Sequence, residues 1–366
     1  MEPATSTLTH RQLVKIDKDY EAAASVVNLI YVTDKEDGIA RIRKGNGFSY
    51  RLRNKTVTDE KTLARIRKLA IPPAWNNVWI CSSPNGHIQA TGNDARNRKQ
   101  YKYHPRWTAL QHETKFHRLI EFGKVLPLLR NQVQQDLQRS GFPEPKVIAM
   151  VIALMERTFI RIGNDGYEKL YGSYGLSTMK NDHVDIRGDN ITFSFKGKKG
   201  IYHKVLLKSK RFARIIKQCK AIPGKELFQY YDSSGEKHKV DSGQVNLYLK
   251  KCLSMDFTTK DLRTWAGTIS MLQELKCAPP CLTKNDYQKN ITIALEAVSR
   301  KLGNTVTICK KYYVHPEVVR MYKEGQLPEF QNDDPASQKD AGLSAEEQTL
   351  MKILAVIEKM KVELGG

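Results

Sequence analysis

Acidic residues are scarce in this chain: 39 Asp and Glu stand against 60 Lys and Arg among 366 residues, a formal net charge of +21. Such a surplus points to a polyanionic partner and says little about fold. Cysteine is sparse as well. Cys81, Cys219, Cys252, Cys277, Cys281 and Cys309 are scattered without a C-x-x-C pair, which argues against a disulfide framework or structural zinc and for reduced thiols in a cytoplasm-like compartment. No run of about 18 apolar residues occurs. The opening Met1-Glu2-Pro3-Ala4-Thr5-Ser6 lacks the basic and apolar regions of a signal peptide, so neither membrane spanning nor secretion is expected. A G-x-x-x-x-G-K-[ST] phosphate loop, a glycine-rich dinucleotide fingerprint and an H-E-x-x-H pair are all missing. The usual signs of ATP, NAD and zinc chemistry go with them, so no cofactor and no metal are expected.

What is present is a globular composition, 40% hydrophobic and 8% aromatic, at a length that allows two or three domains. Residues 1–110 read as a small β-rich domain: Phe48–Leu52 is strand-like, and Val78-Trp79-Ile80 and His87–Thr91 flank a Pro84-Asn85-Gly86 turn. Residues 111–330 read as mainly helical, with one long apolar helix over Lys146–Leu170 and later helices starting near Ser242, Thr259 and Thr283. One hairpin interrupts them, with Ile191, Phe193 and Phe195 alternating into Lys196-Gly197-Lys198-Lys199-Gly200 and Ile201, His203 and Val205 alternating out. The class is therefore α+β. Residues 331–366 are a linker-like stretch followed by one helix, capped by Ser344 and Glu347, in a tail that carries eight acids and four bases from Glu329 onward. That helix is expected to dock, and its loss to lower stability modestly.

Two stretches concentrate the positive charge. Between Asn190 and Lys225 stand eleven Lys or Arg and no acid, a bias that solubility does not require and phosphate binding does. From Arg96 to Trp107, the cations Arg98 and Lys99 interleave with Gln100, Tyr101 and Tyr103. Phosphates, base edges and sugar faces could each find a partner there, although an exposed basic loop with packed tyrosines reads equally well. Asp182, Asp185 and Asp189 sit in and beside a short strand and read as surface carboxylates.

The string Val78-Trp79-Ile80, His87–Gly92, Asp94-Ala95 and Arg98-Lys99-Gln100-Tyr101 resembles the N-terminal domain of the poxvirus-like and bacterial type IB DNA topoisomerases. Phe159-Ile160-Arg161-Ile162-Gly163, the Gly197-Lys198 turn, Lys260-Asp261-Leu262-Arg263-Thr264, and Leu302-Gly303-Asn304-Thr305 followed by Tyr313 agree with that family in order and spacing. The resemblance covers roughly Gly47 to Leu327. It implies a tyrosine recombinase/topoisomerase IB-like fold and a monomer that clamps double-stranded DNA in the cytoplasm, at the nucleoid in a bacterium. The implied reaction relaxes supercoils through a 3'-phosphotyrosyl bond, without ATP or required metal.

By that resemblance Tyr313 is the nucleophile. A phenol of pKa ~10 displaces a sugar hydroxyl nearer ~15.7, so the 5'-oxygen needs a delivered proton. Lys198 takes that role by alignment; by position alone Lys196 and Lys199 are equal candidates. Arg161 and Arg263 would grip the non-bridging oxygens as planar donors, the bland alternative being salt bridges, for Arg263 with Asp261 or Asp256. Arg161 is expected near the end of the apolar helix and Arg263 in the first turn of another. Asn304 stands where viral members have histidine, so it offers one neutral hydrogen bond and no acid or base. If Tyr312 and Tyr313 are helical, their side chains diverge by ~100° and one can face the phosphate. Asn164 and Gly166 stand where site-preferring viral members have lysines, which makes strong sequence preference doubtful. Lys260, with Arg98, Lys99, Gln100, Tyr101, Tyr103, Lys196 and Lys199, completes the expected DNA contacts. A tyrosine recombinase and a catalytically inactive DNA-binding protein stay open as alternatives; Lys260 in place of a recombinase histidine disfavours the first.

Overall fold

A computed structural model describes residues 19–45, 47–95, 97–327 and 342–363. The segment before residue 19 and most of the linker after Leu327 lie outside them, as does the side chain of Lys199. The chain divides into two compact units, the second spanning Leu119–Ile357 and the first taking the residues on either side of it; the first boundary falls inside a long helix, α3 (Pro105–Asp136), that follows two shorter ones, α1 (Tyr20–Val26) and α2 (Glu60–Lys68).

The first unit is built on six antiparallel strands: β1 (Gly38–Lys44), β2 (Gly47–Leu52), β3 (Lys55–Thr56), β4 (Asn76–Cys81), β5 (Ile88–Asn93) and β6 (Lys99–Tyr103). Their order is β3-β2-β1-β4-β5-β6, and the expected pairing of β4 with β5 is present with Ile80 opposite Ala90. Ile39, Ile66, Val78, Ile80 and Ala90 form one small core beneath the sheet. Ala23, Ala24, Leu29, Trp107 and Leu110 form another.

The second unit surrounds α4 (Glu144–Thr158), whose residues Val147 to Met155 are all buried. A helix apolar on every side belongs at a core centre. Around it stand α5 (Asp165–Tyr171), α6 (Lys210–Ala221), α7 (Ser242–Leu253), α8 (Thr259–Lys276), α9 (Lys284–Leu302), α10 (Val306–Tyr312) and α11 (Pro316–Lys323). Strands β7 (Val184–Arg187), β8 (Asn190–Lys196) and β9 (Tyr202–Lys208) form an antiparallel sheet in sequence order, with a short hairpin of β10 (Gln229–Tyr231) and β11 (Lys237–Lys239). The β8–β9 register sets Phe195 opposite His203 and Phe193 opposite Val205, as the alternation predicts. No helix among the described residues is long and apolar enough to cross a membrane, and all six cysteines are free.

The tail helix α12 (Ala345–Glu363) packs into this core through its residues up to Ile357. Leu350 and Ile353 are fully buried, and with Leu354 and Ile357 they join the cluster around α4. Polar contacts fix the docking. Arg130 grips both oxygens of Glu347 at 2.8 Å, Trp265 on α8 donates its indole N–H to Glu347 at 2.9 Å, and Ser344 N–H donates at 2.8 Å. Burial favours a neutral Glu347, but these donors outweigh it and hold the carboxyl below its usual range.

The docking is therefore deeper than a modest surface contact. Leu350→Ala is expected to destabilise the protein by about 2–5 kcal/mol, as for other large-to-small changes in a core. Chemical denaturation measures this, and a loss below about 0.5 kcal/mol, typical of exposed positions, would show a helix not packed in the core.

Candidate active site

The apolar helix expected over Lys146–Leu170 stops at Thr158. The Thr158 hydroxyl donates to the Leu154 carbonyl at 2.6 Å, and Phe159 turns left-handed with φ 55°. The segment after it is clamped: Leu176 N–H donates to the Arg161 carbonyl at 2.9 Å and Ser177 N–H to the Ile162 carbonyl at 2.6 Å. A Cβ on Gly175 would stand 2.5 Å from the Arg161 carbonyl oxygen, so a glycine is needed for this closeness. Arg161 thus sits on a fixed loop beyond the helix.

Arg263 is the fifth residue of α8, in its second turn, and 6% exposed. The Thr258–Asp261 capping box takes up Asp261, and Asp256 pairs with Lys250. Arg263 donates instead to the carbonyls of Phe159 and, at 2.8 Å, Leu302. Arg161 donates to the Gly303 carbonyl at 2.9 Å and to the side-chain oxygen of Asn304. All three carbonyls belong to helix C-termini: Phe159 and Gly303 are the left-handed caps of α4 and α9, and Leu302 is the last residue of α9. Helix C-termini carry partial negative charge and favour cations without neutralising them.

Among the described residues neither arginine has a carboxylate partner. Burial lowers the pKa of both, and for Arg161 the neighbouring charge of Arg263 lowers it further. Arginine nonetheless remains protonated in proteins, so the site holds two cations that an anion would relieve. Among the described residues two donors also find no partner: Arg263 Nε and Asn304 Nδ2 are buried without a hydrogen bond, an arrangement that costs about 1–3 kcal/mol per group unless a ligand or water completes it.

Tyr313 lies one residue past the end of α10, with φ −132° and ψ −7°, so the divergence argued for two consecutive helical residues does not apply. The Arg263 guanidinium stands 5.3 Å from its ring centre. The Tyr313 segment is tied to α8. Thr268 Oγ1 lies 3.3 Å from the Tyr313 carbonyl and accepts the His315 N–H at 3.2 Å. A Cβ on Gly267 would come within 2.5 Å of that carbonyl and 3.0 Å of Tyr313 Cβ. Sequence reasoning passed over Gly267; the available signal was a glycine inside an otherwise strong helix pattern.

Arg161, Arg263, Asn304 and Tyr313 are therefore together, and Lys198 lines a small pocket with Arg161, His203 and Leu302. Lys198 is exposed in the hairpin turn, where Gly197 N–H closes on the Ile201 carbonyl at 2.7 Å. Lys196 ends β8, half-buried, and Lys260 is exposed in the first turn of α8.

In the first unit Lys99, Tyr101 and Tyr103 share the exposed face of β6, an edge strand, and the two rings stack at 5.7 Å. The cations there are partnered: Arg98 bonds Asp94 at 2.6 Å and Lys99 bonds Asp34 at 2.6 Å. Gln100 faces the other way and donates to Asp94 at 3.1 Å.

Comparison with known proteins gives two domain-level matches. Residues 104–340 match "Eukaryotic DNA topoisomerase I, catalytic core", and residues 47–94 match "Bacterial DNA topoisomerase IB, N-terminal domain". The chain is 33% identical over 312 residues to the DNA topoisomerase 1B of Acanthamoeba polyphaga mimivirus, covering 82% of this chain and 92% of that relative. It is 23% identical over 238 residues to the DNA topoisomerase I of Monkeypox virus and to the DNA topoisomerase 1B of Vaccinia virus (strain Copenhagen), 64% of this chain and 72% of each relative.

Gly→Ala in an ordinary helix interior gains up to about 1 kcal/mol. At Gly267 the sign should reverse, because the added methyl must push Tyr313 away, with a loss of about 1–3 kcal/mol from overpacking. Denaturation midpoints decide the matter, and a stabilised Gly267→Ala protein would contradict the contact.

Proposed function

The chain belongs to the type IB DNA topoisomerase family, and on that premise we propose that it relaxes supercoiled duplex DNA by opening and resealing one strand through Tyr313. The observation that carries the residue assignment is the pair of arginines, half-buried Arg161 and buried Arg263, held by backbone carbonyls with Tyr313 against one of them.

In this reading the Tyr313 oxygen attacks a backbone phosphorus. The tyrosyl P–O bond forms, the bond to the 5'-oxygen breaks, and the phenol proton passes to solvent. Arg161 and Arg263 bind the two non-bridging oxygens and stabilise the charge gathered there in the transition state. Because carbonyls already hold both guanidiniums, little reorganisation is needed when the phosphate arrives. Asn304 adds a neutral hydrogen bond. Lys198 delivers a proton to the departing 5'-oxygen, the poorer leaving group by several pKa units. After strand rotation the 5'-hydroxyl gives its proton back to Lys198 and attacks the phosphorus, the tyrosyl P–O bond breaks, and the Tyr313 oxygen takes up a proton from solvent. One phosphodiester is exchanged for another, so the cycle needs no ATP, and the arginines supply the charge stabilisation a metal would otherwise give.

Lys196, Lys199 and Lys260, with Lys99, Tyr101 and Tyr103 on β6, would contact the duplex. All five reacting groups come from a single chain, which supports action as a monomer. The cellular site would be the cytoplasm, at the nucleoid in a bacterium.

Plasmids of either supercoil sign should be relaxed without ATP and in excess EDTA. An absolute requirement for magnesium would contradict the assignment, whereas mere stimulation would be compatible with effects on product release.

Tyr313→Phe should abolish the detergent-trapped covalent adduct and leave duplex binding nearly unchanged, since one oxygen is removed. Tyr312→Phe should retain the adduct. The opposite pattern on a denaturing gel would move the nucleophile by one residue.

A further inference from the structure

His203 on β9 occupies a slot between the two backbone segments that carry the site. On one side lies Gly197, immediately before Lys198; on the other lies Gly303, immediately before Asn304 and bonded through its carbonyl to Arg161. A Cβ built on Gly197 would overlap the Cδ2 edge of the imidazole at His203, and one built on Gly303 would overlap its Cε1 edge. The ring is therefore in contact with both glycines at once. Its face stacks on Phe195 with centroids 5.2 Å apart and planes 21° from parallel. Gly303 is also the left-handed cap of α9, but the φ of −93° at Gly197 is open to any residue. What glycine supplies at 197 is room for the imidazole.

We infer that His203 is a positioning residue: its ring is the spacer that fixes the turn bearing Lys198 against the end of α9, and so sets where the proton donor stands relative to the arginine pair. The turn is closed on itself, Gly197 N–H donating to the Ile201 carbonyl at 2.7 Å and Gly200 N–H to the Gly197 carbonyl at 3.1 Å, and Lys198 is exposed. Tyr174 N–H holds the end of β8 through the Lys196 carbonyl at 2.8 Å, whereas it is the His203 ring that meets the end of α9. Burial, and then the charges of Arg161 and Arg263, lower the pKa of the imidazole, so the wedge is neutral at neutral pH and adds no third cation to the site.

The inference rests on Lys198 being the acid, and the test separates the two claims. Cleavage rates are measured on a normal phosphodiester and on a substrate whose 5'-bridging oxygen is sulfur, which leaves as a thiolate without a proton. Lys198→Ala should be slow on the first and close to wild type on the second; equal slowing would sink the acid assignment itself. His203→Ala should repeat that contrast in milder form, about tenfold or more slower on the phosphodiester, since misplacement by about 1 Å costs up to 10²-fold. Near-normal adduct formation on the sulfur substrate reports that fold, Tyr313 and arginines are intact, which a general structural defect would not allow. Gly197→Ala approaches from the other side, pressing a methyl onto the ring, and should give the same signature even if His203→Ala fails to fold. If Lys198→Ala shows the contrast while His203→Ala and Gly197→Ala slow both substrates equally, or neither, the spacer role is overturned.

Discussion

Two like charges held close together, one half-buried and one buried, Arg161 and Arg263, constrain the rest of the second unit. A carboxylate would satisfy them most easily, yet it would cancel the charge a phosphate is to meet. The fold uses backbone carbonyls at the ends of α4 and α9 instead. Those groups orient the guanidiniums and leave their charge available. This solution requires α4 to end at Thr158, α9 to end at Gly303 and α8 to present its second turn to both. The helical packing brings two helix C-termini and the second turn of a third helix to one point.

Much of this was legible in the sequence because the signals were local. The alternation of Ile191, Phe193 and Phe195 gave the hairpin and its turn, and the helix starts expected near Thr259 and Thr283 fall where capping boxes, Thr258–Asp261 and Thr283–Asp286, open α8 and α9. The end of α4 was hidden because apolar residues continue through Phe159, Ile160 and Ile162, so periodicity gave no stop; what ends the helix is the clamp to residues 175–177, a contact between distant segments. Gly267 and His203 escaped notice for the same reason. Each has meaning through a neighbour far away in sequence, Tyr313 in one case and two glycines in the other.

The basic run near Arg98 shows a related limit. Its charge was plain, but its pairing with Asp34 and Asp94 depended on the sheet. Beside those paired charges the exposed face of β6 carries the stacked rings of Tyr101 and Tyr103, a flat apolar surface that the run of basic residues did not by itself reveal.

The tail helix brings time into the picture. Trp265 lies two residues from Arg263 on α8, and its indole is anchored by Glu347, while the Leu350 and Ile353 side chains fill the core on which α4 rests. During synthesis every residue from Arg161 to Tyr313 leaves the ribosome before that anchor does. The contacts that α12 makes with α8 and with the core around α4 can therefore form only after translation has passed Ile357.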